Sequence, residues 1–294
     1  MIKKFRKASL ITCLAALCLG LFYSASKAET LLQSPEASFE IDNRAFYMPS
    51  RSLKSQPGKI AIQESYSEFS REFKIFDKLP LILSLENEYI GIDNSGSAVK
   101  FPAHLTGLGM GVETAMPFFN LKNTYFRLKA IPAFYTDNWS FYASAFRIAL
   151  EPCLIYKVSD KLAFILGAAV YPDYQNPVSP IFGLIYKPND KLSFNLYPDR
   201  PNISYKISKL FTLFTEAGLS YYEFETKRNG SKGVILRYRE SYLGAGVKLK
   251  LAKFAQASVS AGSVFNQYLK YKDDSGKADI KNGPYLELRL QIDF

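Results

Sequence analysis

Apolar and polar residues alternate along segment after segment of this chain, and no segment outside the first thirty residues repeats every 3.6. The run LELRLQIDF at residues 286–294 shows the pattern at its plainest. Leu286, Leu288, Leu290, Ile292 and Phe294 fall on one face, with Glu287, Arg289, Gln291 and Asp293 on the other. A period of two is the signature of a strand with two unlike faces. In 79–92, Leu81, Leu83, Leu85 and Tyr89 oppose Ser84, Glu86 and Glu88. In 123–135, Phe126, Leu128, Ala130 and Phe134 oppose Tyr125, Arg127 and Lys129. In 141–157, Phe146, Ile148, Leu150, Leu154 and Tyr156 oppose Arg147, Glu151 and Lys157. In 210–222, Leu213, Ala217 and Leu219 oppose Thr212, Glu216, Gly218 and Ser220, and the alternation inverts at Glu223 and Phe224. In 241–250, Leu243, Ala245, Val247 and Leu249 oppose Tyr242, Gly244, Gly246 and Lys248.

The connections are of two kinds. Short ones carry Asp or Asn before a resumed apolar alternation: FDKLPLILSL at 76–85, SDKLAFIL at 159–166 and NDKLSFNL at 189–196. Asp and Asn bend the chain by bonding to nearby backbone. Long polar ones are DNSGSAVKFP at 93–102, PDYQNPVS at 172–179, TKRNGSKG at 226–233 and DDSGKADIKNG at 273–283. Short turns at one end and long loops at the other characterise transmembrane barrels. Threading on this rule predicts strands near 37–48, 59–75, 79–92, 104–116, 123–135, 141–157, 161–171, 179–187, 191–197, 202–207, 210–224, 234–250, 253–270 and 284–294. That is an all-β, transmembrane, antiparallel up-and-down β-barrel of 12–14 strands. Fourteen is preferred, and twelve results if the short 191–197 and 202–207 merge around Pro198 and Pro201.

The N-terminus fits export. MIKKFRK is basic, residues 8–22 are an apolar stretch, and Ser26 and Ala28 stand at −3 and −1 of a cleavage site before Glu29. This reads as a secretory signal peptide, too short for a span of about 20 apolar residues. The expected organisation is therefore a signal peptide over 1–28, a flexible lead-in over 29–36 and the barrel over 37–294. Cleavage removes Lys3, Lys4, Arg6, Lys7 and Lys27 and no acid, so the formal charge of +10 falls by half. No basic cluster interleaved with exposed aromatics remains to suggest nucleic acid. Cys13 and Cys18 leave with the signal. Cys153 then stands alone, so no internal disulfide forms.

A soluble sandwich also alternates, with its apolar face inward. Here the second face mixes Gly, Ser, Tyr and charges of both signs, as an enclosed lumen does. The apolar face is then the one that meets lipid. Tyr221, Tyr268 and Tyr271 near strand ends are expected in the interfacial belts. The closing strand has a specific resemblance: apolar alternation ending on Phe294, through Leu290 and Ile292, resembles the C-terminal signal by which outer-membrane barrels engage their assembly machinery. The runs KPNDKLSFNLYPDRPNISYKIS, RYRESYLGAGVKLKL and PYLELRLQIDF resemble a domain-of-unknown-function family of Gram-negative outer-membrane β-barrels. That resemblance implies fold and an outer-membrane location, and supplies no ligand or catalytic motif.

The expected lumen charges are Glu86, Glu88, Glu113, Arg127, Lys129, Arg147, Glu151, Glu216, Glu240, Lys248, Glu287 and Arg289. Two readings stand for them: a ring that selects solutes, or a paired network that fills the interior. The loop 93–103 and the region 172–201 are candidates to fold inward. The function expected is a passive channel or uptake pore for small solutes. The alternative is a closed barrel with a structural or surface role. The remaining alternative is a hydrolase centred on His104, the only histidine. Thr106 stands where a barrel phospholipase has Ser, and a triad needs three groups in mutual reach. With one His and one Cys beyond the signal, no metal site is expected, and no cofactor. Expected partners are outer-membrane lipid, the assembly machinery and small solutes, with a monomeric barrel. The glycines Gly107, Gly109 and Gly111 follow the strand period. They are read as room for a crowding aromatic or a bend rather than as a phosphate loop.

Overall fold

A computed structural model describes residues 39–75, 79–138, 143–172, 174–198, 200–228 and 231–293. The signal peptide, its Ala28–Glu29 cleavage site, the lead-in and Phe294 lie outside the described residues. Fifteen strands follow in order: β1 (Phe39–Ser52), β2 (Lys59–Ile75), β3 (Leu79–Ser95), β4 (His104–Pro117), β5 (Thr124–Thr136), β6 (Phe146–Ser159), β7 (Leu162–Val170), β8 (Val178–Tyr186), β9 (Leu192–Asn195), β10 (Asn202–Lys206), β11 (Phe211–Arg228), β12 (Ser231–Lys250), β13 (Ala255–Tyr271), β14 (Lys277–Asp279) and β15 (Gly283–Asp293). Each of β1 to β13 pairs antiparallel with the next, and β15 joins β13 to β1. Fourteen strands thus close a barrel, while β14 is a flap hydrogen-bonded to β13 in the last long loop. The twelve-strand alternative fails because β9 and β10 are separate strands paired from Asn195↔Asn202 to Leu192↔Tyr205.

The alternation explains the wall. Exposed apolar side chains project outward all round it, among them Leu85 on β3, Met110 on β4, Phe164 on β7, Phe182 on β8, Leu243 on β12 and Leu288 on β15. Inward positions hold charges and glycines along much of the barrel and apolar side chains toward the long-loop end. This is the reverse of a soluble barrel, and it places the wall in lipid. Gly107 leaves room for an aromatic as expected, since a Cβ there would stand 2.6 Å from the Tyr135 ring.

Three local departures have physical causes. β1 continues to Ser52 through a register shift between Met48 and Arg51, where Pro49 lacks the N–H a regular ladder needs. The predicted strand at 141–157 starts only at Phe146. Ala143–Ala145 form a 3-10 turn instead, pinned by Arg147 Nη1 donating to Ser144 O (2.7 Å) and Ser144 Oγ donating to Glu225 (2.5 Å). Tyr271 leaves the expected belt. It is 1% exposed, stacked on Phe101 at 5.6 Å, and donates its hydroxyl to Lys100 O.

Tyr271 belongs to an apolar plug that fills the long-loop end of the barrel. Met48, Ile60, Ile62, Ile90, Leu105, Phe224, Leu236, Leu269 and Ile280 are all 0% exposed and form one cluster. Loop residues Val99 and Phe101 pack on it. The last loop folds across it through Lys54 N–Asp279 O (2.8 Å) and Lys281 N–Ser52 O (3.0 Å). The plug makes the barrel's end behave like a soluble core. Ile62→Ala is therefore expected to lower stability by about 2–5 kcal/mol. The check is the urea unfolding midpoint of the refolded barrel, with heat-modifiable migration retained.

Candidate functional site

The ring is not uniform along its height. Strand β10 ends its pairing with β11 at Asn202↔Glu216, although β11 continues to Arg228. The upper part of β11 bends inward and meets β5, a strand six places away round the ring, at Glu225↔Thr136. Asp137 N donates to Glu225 O at 3.0 Å, and Tyr135 meets Phe224 edge-on at 5.4 Å. The inverted alternation at 223–224 follows from this. Tyr222 and Phe224 pack toward the plug, while Tyr221, Glu223 and Glu225 face the compartment enclosed by β6, β7 and β8. Upper β11 is thus an internal partition rather than lipid-facing wall. Tyr221 consequently packs against Tyr174 at 5.6 Å instead of serving the aromatic belt.

Beside the partition lies a cavity of about 760 Å³. At the short-turn end it is lined by Glu40, Lys157, Lys187 and Gln291. One flank is apolar: Ile155, Ala163, Ile165, Ala169, Ile181 and Ile185 form a buried cluster with Cys153 beneath Tyr171 and Tyr197. The other flank is charged.

Most of the charges expected in the lumen meet partners there. Arg127 lies against Glu113 through two parallel contacts, Nε–Oε1 at 2.8 Å and Nη2–Oε2 at 2.7 Å, and has Glu151 3.7 Å away. Tyr197 accepts from Arg127 Nη1 (2.7 Å) and donates to Glu151 (3.2 Å), which ties the loop after β9 to β5 and β6. Lys129 faces Glu86 at 3.6 Å. Arg289 makes two contacts to Asp42, at 2.8 and 2.6 Å. Glu216 and Glu287 both receive Arg200, at 2.8 and 2.7 Å. Lys248 lies over the Phe214 ring at 5.0 Å. Glu88 is buried against the cavity, and Arg147 lines it while donating to the carbonyls of Ser144 and Phe146. Glu240 is apart, under the plug, bonded to Tyr238 and Gln267 beside Glu64. Sequence reading missed Asp42, Arg44, Glu68 and Arg200. The first three alternate with apolar neighbours in EIDNRAF and SEFSREF, so the same period marks them. Arg200 gave no signal, because it stands between prolines on no strand.

His104 stacks on Tyr89 at 6.1 Å, on the outward side of β4. Leu290 and Ile292 are buried, at 7% and 0% exposed. No group of three metal-ligating side chains occurs among the described residues.

Residues 64–292 match a family described as a domain of unknown function (DUF6268). The chain belongs to that family. No curated protein sequence matches it. Among solved structures, an outer membrane channel from Pseudomonas putida F1 is similar at 12% identity, over 92% of this chain and 98% of that one, with a TM-score of 0.49. A FadL homologue from Pseudomonas aeruginosa is similar at 9% identity, over 94% and 95%, with a TM-score of 0.42. The KdgM porin is similar at 13% identity, over 87% and 99%, with a TM-score of 0.36. These are likenesses of barrel architecture.

The Arg127–Glu113 pair is buried, with side chains 9% and 6% exposed. Arg127 is shared with Glu151, so Glu113→Gln leaves it the longer contact and should destabilise the barrel by about 1–3 kcal/mol, Arg127→Met strands two buried carboxylates and should cost about 3–5 kcal/mol, and the double variant should cost less than the sum of the two. Urea unfolding of the two single variants and the double variant closes the cycle.

Proposed function

We propose that this DUF6268 protein is an outer-membrane barrel that admits small solutes passively to the periplasm through its off-axis cavity. The short-turn end is the periplasmic one. One observation carries the reading. The axis is sealed at the long-loop end by the apolar plug, while the cavity beside it extends from the short-turn rim to Leu219 on the outer face of β11. A barrel that only had to be stable would gain from packing that side as tightly as the other. Instead about 760 Å³ stays open, lined by acids and bases of both signs. In this reading the paired carboxylates and guanidiniums do two things. They satisfy one another in a low-dielectric interior, and they set the field that a passing ion meets.

Residues 29–294, refolded into a planar bilayer, should give small, discrete conductance steps. Arg147→Gln combined with Lys187→Gln removes two cavity cations without breaking the Arg127–Glu113 pair. It should shift the reversal potential toward cation selectivity. A folded, heat-modifiable barrel that never conducts would overturn passage of water-soluble solutes and favour a closed, structural barrel.

A further inference from the structure

The departure of β11 leaves the barrel wall incomplete. Strands β8 and β9 share only two register pairs, Ile185↔Asn195 and Tyr186↔Phe194, extended by one bond from Leu196 N to Leu184 O at 2.8 Å. On the other side, β11 loses β10 after Glu216, with a last bond from Ala217 N to Pro201 O at 3.0 Å. Above those points the upper part of β8 and the stretch 218–222 of β11 face each other across the missing strands. Among the described residues no ladder joins them. The gap is framed below by the β9–β10 hairpin with Tyr197 and Arg200. It is framed above by the loop after β7, where Tyr174 packs on Tyr221 and Gln175 N donates to Glu223 at 3.3 Å.

Two side chains show that this gap is a window. Ser179 shares its strand face with the buried Ile181 and Ile185, and lines the cavity, yet it is exposed. Leu219 points to the outer face with 58% exposure and also lines the cavity. The cavity therefore passes between β8 and β11 to the outside of the wall. The surface around its mouth is apolar: Val178 and Phe182 on β8 are 59% and 67% exposed. The wall just inside is the apolar cluster of Ile155, Ile165, Ile181 and Ile185.

We infer that the gap between β8 and β11 is a lateral window through which a compact, mainly apolar molecule dissolved in the membrane enters the cavity. This rests on the uptake reading and names its solute class. The chemistry of the frame defines the molecule. The apolar mouth and inner wall favour an aliphatic or aromatic body. The unladdered backbone edges of β8 and β11 offer N–H and C=O groups that gain from a partner where lipid supplies none, so one small hydrogen-bonding group fits as well. With the axis plugged, a molecule arriving from the membrane reaches the cavity without crossing the loops. The charged flank then leads to the periplasmic rim.

The test uses proteoliposomes and 4-bromobenzyl alcohol, an aromatic body with one hydroxyl and a bromine that quenches indole fluorescence. Trp139→Phe removes the only tryptophan, and Tyr171→Trp places a reporter over the apolar cluster. The expected result is saturable quenching above the unsaturable background from lipid. In a Cys153→Ala background, Ser179→Cys and Leu219→Cys are then bridged by a flexible bis-maleimide. Bridging should abolish the saturable component while heat-modifiable migration persists. The single substitution Leu219→Phe, in the barrel that carries Trp139→Phe and Tyr171→Trp, should slow the same saturable quenching without any cross-link. Saturable quenching that survives bridging would overturn the window, because entry would then run from the rim. Quenching that never saturates would overturn the site. Conductance is read separately on the bridged protein: steps that persist after saturable quenching is lost assign water-soluble and membrane-dissolved solutes to different mouths and support the window.

Discussion

A wall in lipid must satisfy its own backbone, because the hydrocarbon offers no hydrogen-bonding partner. Everything particular about this protein follows from how it meets that constraint and where it departs from it. In a regular fourteen-stranded barrel every ladder of the ring would be long. Here β11–β12 and β2–β3 are long, while β9 and β10 contribute four and five residues. The ring closes at its short-turn end. Toward the other end β11 exchanges its missing neighbour for β5, and the barrel divides into two compartments of unlike character.

The two compartments are stabilised differently. The nine-strand side is filled by the apolar plug, whose cluster includes residues from eight of those strands and from three loops. Its burial resembles that of a soluble core and contributes by the same hydrophobic and dispersion terms. Beneath the plug, Phe46 stacks on Tyr285 at 4.4 Å and meets Tyr242 at 5.4 Å. That aromatic layer separates the dry end from the ion pairs of Arg200 and Arg289. The five-strand side keeps its cavity, with an apolar cluster on one flank only. The bidentate contact of Arg127 to Glu113 fixes their geometry on the other flank and leaves the space between the flanks open.

The strand order, the preferred count of fourteen and the direction of most faces were legible from the alternation read together with the turn spacing. A period of two leaves no freedom in which side chain points where once one face is known to meet lipid. The turn chemistry located both ends of the barrel. What the pattern could not carry was any placement set by contact across the lumen. Arg200 reaches Glu287 from a loop between prolines, and no local period marks it. The plug was equally hidden: Ile60, Ile62, Ile90 and Ile92 are inward by parity but apolar in a lumen expected to be polar. They read as ordinary strand residues because hydrophobicity alone does not say whether lipid or a packed interior receives them. Tyr271 was misplaced for the same reason.

The inverted alternation at Glu223 shows how a local breach of pattern can encode shape. Carboxylates on the outward face of a lipid-facing strand would lose their hydration with nothing in return. Glu223 is 0% exposed, yet it receives Arg237 Nε at 2.8 Å, the Tyr221 hydroxyl at 3.1 Å and the backbone of Gln175. Glu225 receives Ser144. Each partner comes from β12, from β11 itself or from a loop of the five-strand side, so the acids are satisfied only if upper β11 is covered on both faces. A strand can be covered on both faces only by leaving the wall. Leaving the wall costs β11 its β10 neighbour, and that loss is what opens the side of the barrel above the β9–β10 hairpin. The acids at 223 and 225, the short strands at 192–195 and 202–206, and the window are therefore one structural decision seen at three places along the chain.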